Sequence, residues 1–238
     1  METIESTKNK IIFSAEIEES LANAIRRYVH EIPVLAIDEV EIHQNGSPLY
    51  DETLAHRIGL VPLKMTKSYK EDSEIKFSIK KKGPGYVYSG DIKSEAEVIY
   101  DKMPLTLLKE NQEIDVKGTA KLGKGSYHTK HAPGFMFYRN SAEISLPKKM
   151  ADEVKKLCPP SQVKEKGEKI VIKDNQAKPL IDLCQAIAER NKESVEVKFD
   201  EELIISVESF GQLEPKEIFK ESIEHLKKDL QSFAKKIK

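Results

Sequence analysis

Six apolar residues near the end of the chain, Phe219, Ile223, Leu226, Leu230, Phe233 and Ile237, step by 4, 3, 4, 3, 4. That is an unbroken a/d pattern over 19 residues, with Lys, Glu and Asp on most other positions, and it predicts a long helix from Pro215 onward. A stripe this narrow suits helix-to-helix packing better than it suits covering a sheet. Two outcomes stay open: a core helix lying on the protein's own sheet, or a seam for a second polypeptide. Both hold if one end packs inward and the rest docks outward.

The 238 residues suffice for one large domain or two to three small ones. With 33% charged and 39% hydrophobic residues, the profile is that of a soluble protein with a heavily solvated surface. The 39 basic residues against 40 acidic leave a net charge of −1, so no global field draws the chain to nucleic acid or to an anionic membrane. No apolar run approaches the roughly 20 residues of a membrane span, and Met-Glu-Thr-Ile-Glu-Ser-Thr-Lys lacks the apolar segment of a signal peptide. Two cysteines, Cys158 and Cys184, make no disulfide framework. The expected compartment is cytoplasmic.

Lys10 to Glu16 reads as a first strand. From Ser20 to Ile32 the apolar residues Leu21, Ala24, Ile25, Tyr28, Val29 and Ile32 recur at helical spacing, with Asn23, Arg26, Arg27 and His30 off that stripe. Pro33 ends the helix, because the residue before a proline is pushed out of the α region. A strand follows over Leu35 to His43. Its apolar alternation slips by one place after Ile37, so a bulge near Asp38 and Glu39 is expected to restore the buried face. After the turn Asn45-Gly46-Ser47-Pro48, Asp51 is expected to cap a helix over Glu52 to Ile58, ended by Gly59.

Between Lys76 and Leu146 short β-rich runs alternate with Gly and Pro: Phe77 to Lys80, Tyr86 to Ile92, Ala96 to Tyr100, Glu113 to Leu122, Phe135 to Arg139 and Glu143 to Leu146. Lys148 to Leu157 looks helical and stops at Cys158-Pro159-Pro160. Lys169 to Lys173 is a strand and Pro179 to Asn191 a helix. Val195 to Phe199 and Glu202 to Val207 suggest a hairpin turning at Asp200-Glu201.

Catalytic chemistry finds little support. His128 and His131 form a His-x-x-His pair, but no third ligand lies close in sequence and Lys130 stands between them. The sequence has no Gly-rich phosphate loop, nucleophile elbow or Asp-x-Asp-x-Asp metal motif, so the isolated chain is expected to have no nucleotidyl transfer activity. A rival reading is a stand-alone nucleic-acid-binding β domain. Lys80-Lys81-Lys82 with Tyr86 and Tyr88, and Lys124 with Tyr127 and Lys130, would form its basic and aromatic patch. The near-zero net charge favours solvated turns carrying solubilising lysines instead.

Five blocks in fixed order resemble the α-like assembly subunit family of multisubunit RNA polymerases, in its archaeal form. They are Asn23-Ala24-Ile25-Arg26-Arg27, Ala36 to Ile42, Tyr50 to Leu63, the loop Gly123-Lys124-Gly125-Ser126-Tyr127-His128-Thr129-Lys130-His131-Ala132-Pro133, and Val207-Glu208-Ser209-Phe210-Gly211 before a long helix. The resemblance implies an α+β protein with a discontinuous dimerisation domain (1–45 and 195–238), a β-rich insert (46–147) and a small ferredoxin-like-derived third domain (148–194). It further implies a non-catalytic scaffold that pairs with a smaller α-like subunit (L), then binds the β-like second-largest subunit and small zinc-binding subunits (N and P), touching DNA only through the complex. Asn23, Arg26, Arg27 and the helical seam would make the partner contacts, since arginine's planar fork suits carboxylate and carbonyl partners at interfaces.

In one respect the chain departs from that family. Many archaeal members hold an iron–sulfur cluster in the third domain, and such a cluster takes three or four thiolates at short spacing. Here 148–194 has only Cys158 and Cys184. A cluster-free third domain with no cofactor is expected, packed through Val171, Leu180, Leu183 and Ile187.

Overall fold

The computed structural model describes residues 1–66, 68–70, 72–156 and 163–237. Its elements begin with β1 (Glu2–Ser6), β2 (Lys10–Ala15), α1 (Glu19–Tyr28), β3 (Pro33–Asn45) and α2 (Asp51–Gly59). Five strands follow: β4 (Ile75–Lys82), β5 (Gly85–Tyr88), β6 (Lys93–Ser94), β7 (Pro104–Leu108) and β8 (Glu113–Lys124). The remainder comprises β9 (Gly134–Pro147), α3 (Ala151–Lys155), β10 (Val163–Lys166), β11 (Lys169–Asp174), α4 (Ile181–Arg190), β12 (Glu196–Ser209) and α5 (Pro215–Ile237). This is a mixed helix-and-sheet protein. It divides into two compact units, one of Met1–Asn23 with Met136–Val207 and one of Ala24–Phe135 with Glu208–Lys238.

The first unit is built on a six-stranded sheet ordered β1-β2-β12-β9-β11-β10. Strands from opposite ends of the chain, β2 and β12, are therefore neighbours, as a discontinuous domain requires. The expected hairpin at Asp200-Glu201 does not form: Glu196–Ser209 is one strand. No glycine, proline or asparagine there supplies a tight turn, and the neighbouring strand satisfies Asp200, whose carboxylate accepts from Ser141 Oγ at 3.0 Å and whose carbonyl accepts from Asn140 Nδ2 at 3.2 Å. Likewise Phe135 to Arg139 and Glu143 to Leu146 are parts of the single strand β9. Strands β1 and β10 carry no sequence signal, because they are short and mostly exposed, with no apolar period to read.

Within this unit Ile144, Leu146, Met150, Val154, Ile170, Ile172, Leu180, Cys184 and Ile187 form one core cluster. Leu180 and Ile187 pack as expected, but Leu183 is exposed and Val171 lies on the opposite face of β11 from Ile170 and Ile172. Strand alternation decides this: only every second residue of β11 can face α4. The helix expected over Lys148 to Leu157 is a 3₁₀ turn, Lys148–Met150, running into α3. Cys158, Pro159 and Pro160 lie outside the described residues.

The second unit holds a four-stranded sheet, β3-β8-β4-β6, and the pair β5-β7. The bulge is where the alternation placed it. Ile37 pairs with Ala120 and Glu39 with Thr119, leaving Asp38 as the extra residue, and Val40 and Ile42 return to the core side. Ile32 is extended (φ −71°, ψ 122°) before Pro33. Helix α2 covers the sheet with Leu54 and Ile58. Asp51 is its first helical residue rather than its cap, since Tyr50 holds the cap position with no side-chain bond, and Gly59 is helical, with Leu60 after it. Ala96 to Tyr100 contributes one isolated bridge, Leu63 to Val98, and the strand partner of β5 is the unforeseen β7.

Candidate functional site

The loop Gly123 to Pro133 is a packed clasp. A Cβ on Gly123 would sit 2.6–2.7 Å from three atoms of the His131 ring, so only glycine lets that ring lie against β8. His131 is buried, with Nδ1 2.9 Å from the Val34 carbonyl. Burial pushes its pKa down, more than the Val34 bond raises it. His128 Nδ1 accepts from the Lys130 backbone N–H at 3.1 Å, capping the 3₁₀ turn Thr129–His131. The two histidines thus serve packing and capping. Lys130 then reaches the bulge: Nζ lies 2.9 Å from Asp38 Oδ1. That bond holds the Asp38 carboxyl below its usual range.

The C-terminal return locks onto the same loop. Phe210 N–H donates to the Pro133 carbonyl at 2.9 Å, and the Phe210 ring meets Phe135 edge-on at 5.8 Å. Ser209 Oγ accepts from Gly211 N–H at 2.8 Å and donates to the Leu213 carbonyl. Gly211 takes φ +103°, a conformation that favours glycine and turns the chain toward α5. Two of the sequence blocks, separated by some seventy positions, are therefore one structural joint.

Helix α5 changes character along its length. Pro215, Ile218 and Ser222 are buried, whereas Ile223, Leu230, Phe233 and Ile237 are 36, 59, 64 and 70% exposed. Phe219 and Leu226 are half-buried. The inward face is thus Ile218 and Ser222, one position off the heptad stripe, and the stripe itself faces outward beyond Leu226. The end of α1 is tied to α5 by Tyr28, whose hydroxyl donates to Asp229 Oδ2 at 3.0 Å. On α1 the buried positions are Ala22, Ile25, Val29 and Ile32, the last two just past the helix, while Leu21 is exposed and Tyr28 half-exposed. Asn23 and Arg26 are half-buried and Arg27 is exposed. Asn23 lies in the first unit and Arg26, Arg27 and the seam residues in the second.

The lysines of the rival nucleic-acid patch are engaged. Lys80 pairs with Asp115 at 2.6 Å, Lys81 with Asp91 at 2.6 Å, Lys82 with Glu113 at 3.1 Å and Lys124 with Glu31 at 3.0 Å. Burial would raise the Glu31 carboxyl, but hydrogen bonds from Lys124 and Ser126 outweigh it and hold it low. A patch of neutralised pairs carries little of the free positive charge that phosphate binding needs. Among the described residues no group of three or more His, Cys, Asp or Glu side chains is placed to hold a metal ion, and no helix is long and apolar enough to cross a membrane. Cys184 is buried in the core under α4, and the two cysteines of the whole chain are fewer than a cluster's thiolates.

Known proteins are similar to this chain in sequence. A family model described as the RNA polymerase Rpb3/RpoA insert domain matches residues 40–137, which include the clasp and the part of β3 that follows its bulge. DNA-directed RNA polymerase subunit Rpo3 of Pyrococcus horikoshii is 32% identical over 235 residues, covering 91% of this chain and 89% of its own length. The chain belongs to the Rpo3 family. Rpo3 of Methanobrevibacter smithii is 30% identical, covering 95% of this chain and 93% of its own length. Rpo3 of Methanocaldococcus jannaschii is 40% identical over a shorter stretch, 56% of this chain and 71% of its own. Rpo3 is the archaeal α-like assembly subunit, so the resemblance drawn from the five blocks holds and the chain is an RNA polymerase subunit.

Proposed function

We propose that this chain acts as a non-catalytic assembly scaffold through the outer half of α5. The smaller α-like subunit covers the stripe Ile223, Leu226, Leu230, Phe233 and Ile237. The resulting pair then takes up the β-like second-largest subunit and the small zinc-binding subunits, in the cytoplasm. The observation that carries the reading is the gradient along α5: four stripe residues stand 36–70% exposed on a helix whose base is anchored by Ile218 and Ser222. Water-exposed apolar side chains on one ridge gain roughly 1.5–3 kcal/mol each when fully covered, before ordering costs. Asn23, Arg26 and Arg27 on α1 supply further polar contacts to partner subunits. The discontinuous dimerisation domain gains support from β2 and β12 being neighbours in one sheet. Residues 46–147 correspond to the insert and 148–194 to the third domain.

The test is co-expression with the smaller α-like subunit. Leu226→Glu with Leu230→Glu abolishes co-purification while the insert keeps its native hydrogen-exchange protection. Undiminished co-purification would refute the seam.

A further inference from the structure

An open groove of about 1410 Å³ lies on the first unit, between the entry of α1 and the middle of β12. Part of its lining is apolar and uncovered: Phe199 is 62% exposed and Leu21 45% exposed, and half-buried Ile17 joins them. Most of the rest is acidic. Seven carboxylates line the groove against a single lysine, Lys173. Glu16, Glu18 and Glu19 come from the segment that enters α1, Glu143 from β9, and the other three from Asp200-Glu201-Glu202 on β12. Lys173 lies 3.9 Å from Glu202, so the one cation of the lining is already drawn to an acid. Strand β12 sits between β2 and β9, so these acids do not guard a sheet edge against stray pairing. Phe199 meanwhile leaves most of its surface in water.

We propose that this groove receives a cationic amphipathic segment of a different polypeptide, its lysines and arginines meeting the carboxylates and an apolar side chain covering Phe199 and Leu21. The charge of the lining selects the sign of the occupant, because an acidic segment or a nucleic acid would be repelled by the carboxylates. The apolar part selects a peptide over a small cation. A metal ion or a polyamine neutralises carboxylates but leaves the Phe199 ring and Leu21 in water, whereas a segment with an apolar side chain removes both from it. Arginine suits the site further, since its planar fork pairs with carboxylates and stacks on aromatic faces. The groove lies wholly within the first unit and does not depend on the reading given to α5, which belongs to the second.

The full-length chain is titrated by fluorescence anisotropy against labelled synthetic peptides of equal length. One carries arginine and lysine interleaved with leucine and phenylalanine, a second keeps the charges but has serine at the apolar positions, and a third has glutamate at the charged positions. The first is expected to bind about tenfold more tightly than the second, the factor that covering one apolar side chain supplies, and the third not to bind. Phe199→Ser removes the difference between the first two. Glu18→Lys with Glu201→Lys weakens the first by about tenfold. Glu95→Lys with Glu110→Lys, the same change of net charge at exposed positions outside the groove, leaves it unchanged. All these changes are at exposed side chains, and retained hydrogen-exchange protection of β9 and β12 shows the sheet intact. No binding of the first peptide, equal affinity for the first two, or indifference to Glu18→Lys with Glu201→Lys would overturn the assignment. So would self-association of the chain that Phe199→Ser abolishes, since it would seat a second copy there.

Discussion

Lys130 Nζ lies 2.9 Å from Asp38 Oδ1, joining the signature loop to the extra residue of the β3 bulge across 92 positions of sequence. The bulge does two things at once. It returns Val40 and Ile42 to the core side, and it turns Asp38 out of register to meet the lysine.

The pair makes a pH-dependent contribution whose sign follows from the Asp38 carboxyl lying below its ordinary value in the folded chain. Its stabilisation is fully present above the unfolded carboxyl's value and is lost as pH falls through the lowered folded value. Lys130→Met is expected to cost about 0.5–1 kcal/mol at neutral pH, discounted because the Asp38 side chain is 35% exposed. Urea unfolding of both proteins from neutral pH into the acid range should show the gap closing on the acid side. A gap that is constant with pH would mean the lysine acts by packing alone.

Gly123→Ala drives a methyl into the His131 ring and is expected to destabilise the chain by roughly 1–3 kcal/mol. Adding His131→Ser should recover part of the loss by clearing the space. Thermal unfolding of the two variants distinguishes ring contact from a general effect of altering β8, because only the former is relieved by the second change.

Asp174 is fully buried and receives Arg139 Nη2 at 2.9 Å and the Leu180 backbone N–H at 3.0 Å, fastening β11 to the entry of α4. Asp174→Ala leaves the Leu180 N–H unmatched and Arg139 with carbonyl partners only, those of Gln176 and Asn140 among them, and is expected to cost about 1–3 kcal/mol. Hydrogen exchange should report lost protection over β11 and α4, with β3 and β8 in the other unit unaffected. Uniform loss across both units would show that the two unfold as one.

Along α5 equal truncations should have opposite signatures. Ile218→Ala, at a fully buried site, is expected to cost roughly 2–4 kcal/mol. Phe233→Ala, at a site 64% exposed, should fall within about 0.5 kcal/mol of wild type in the isolated chain. Denaturant titrations of the isolated chain compare them directly. A large loss from Phe233→Ala would show that the stripe packs on this chain itself.

Features that need only neighbouring residues are legible in the sequence. The bulge at Asp38 shows as a one-place slip in alternation, the end of the first helix shows in Pro33, and the long closing helix shows in its period. Where geometry depends on what lies across the sheet, the sequence misleads. Asp200-Glu201 resembles a turn because two acids interrupt an apolar run, yet β9 supplies the hydrogen bonds that keep the strand going. Strand β7 is hidden because Pro104 opens it, although a proline at a strand's first position is tolerated. Val171 suggests a core position because it is a valine, but the register of β11 with β9 turns Ile170 and Ile172 inward instead.

By itself the sequence determined which segments are helix or strand wherever period and breakers agree, and it determined the family, because five blocks recur in order. Those signals are local: they record propensity and patterning along a few turns of chain. Tertiary structure alone decided that Ile218, not the heptad stripe, anchors α5, that the histidines of the clasp cap and pack, and that Leu21 and Phe199 line one groove. Each of these depends on which distant segment lies opposite a side chain, and that is set by closure of the whole fold.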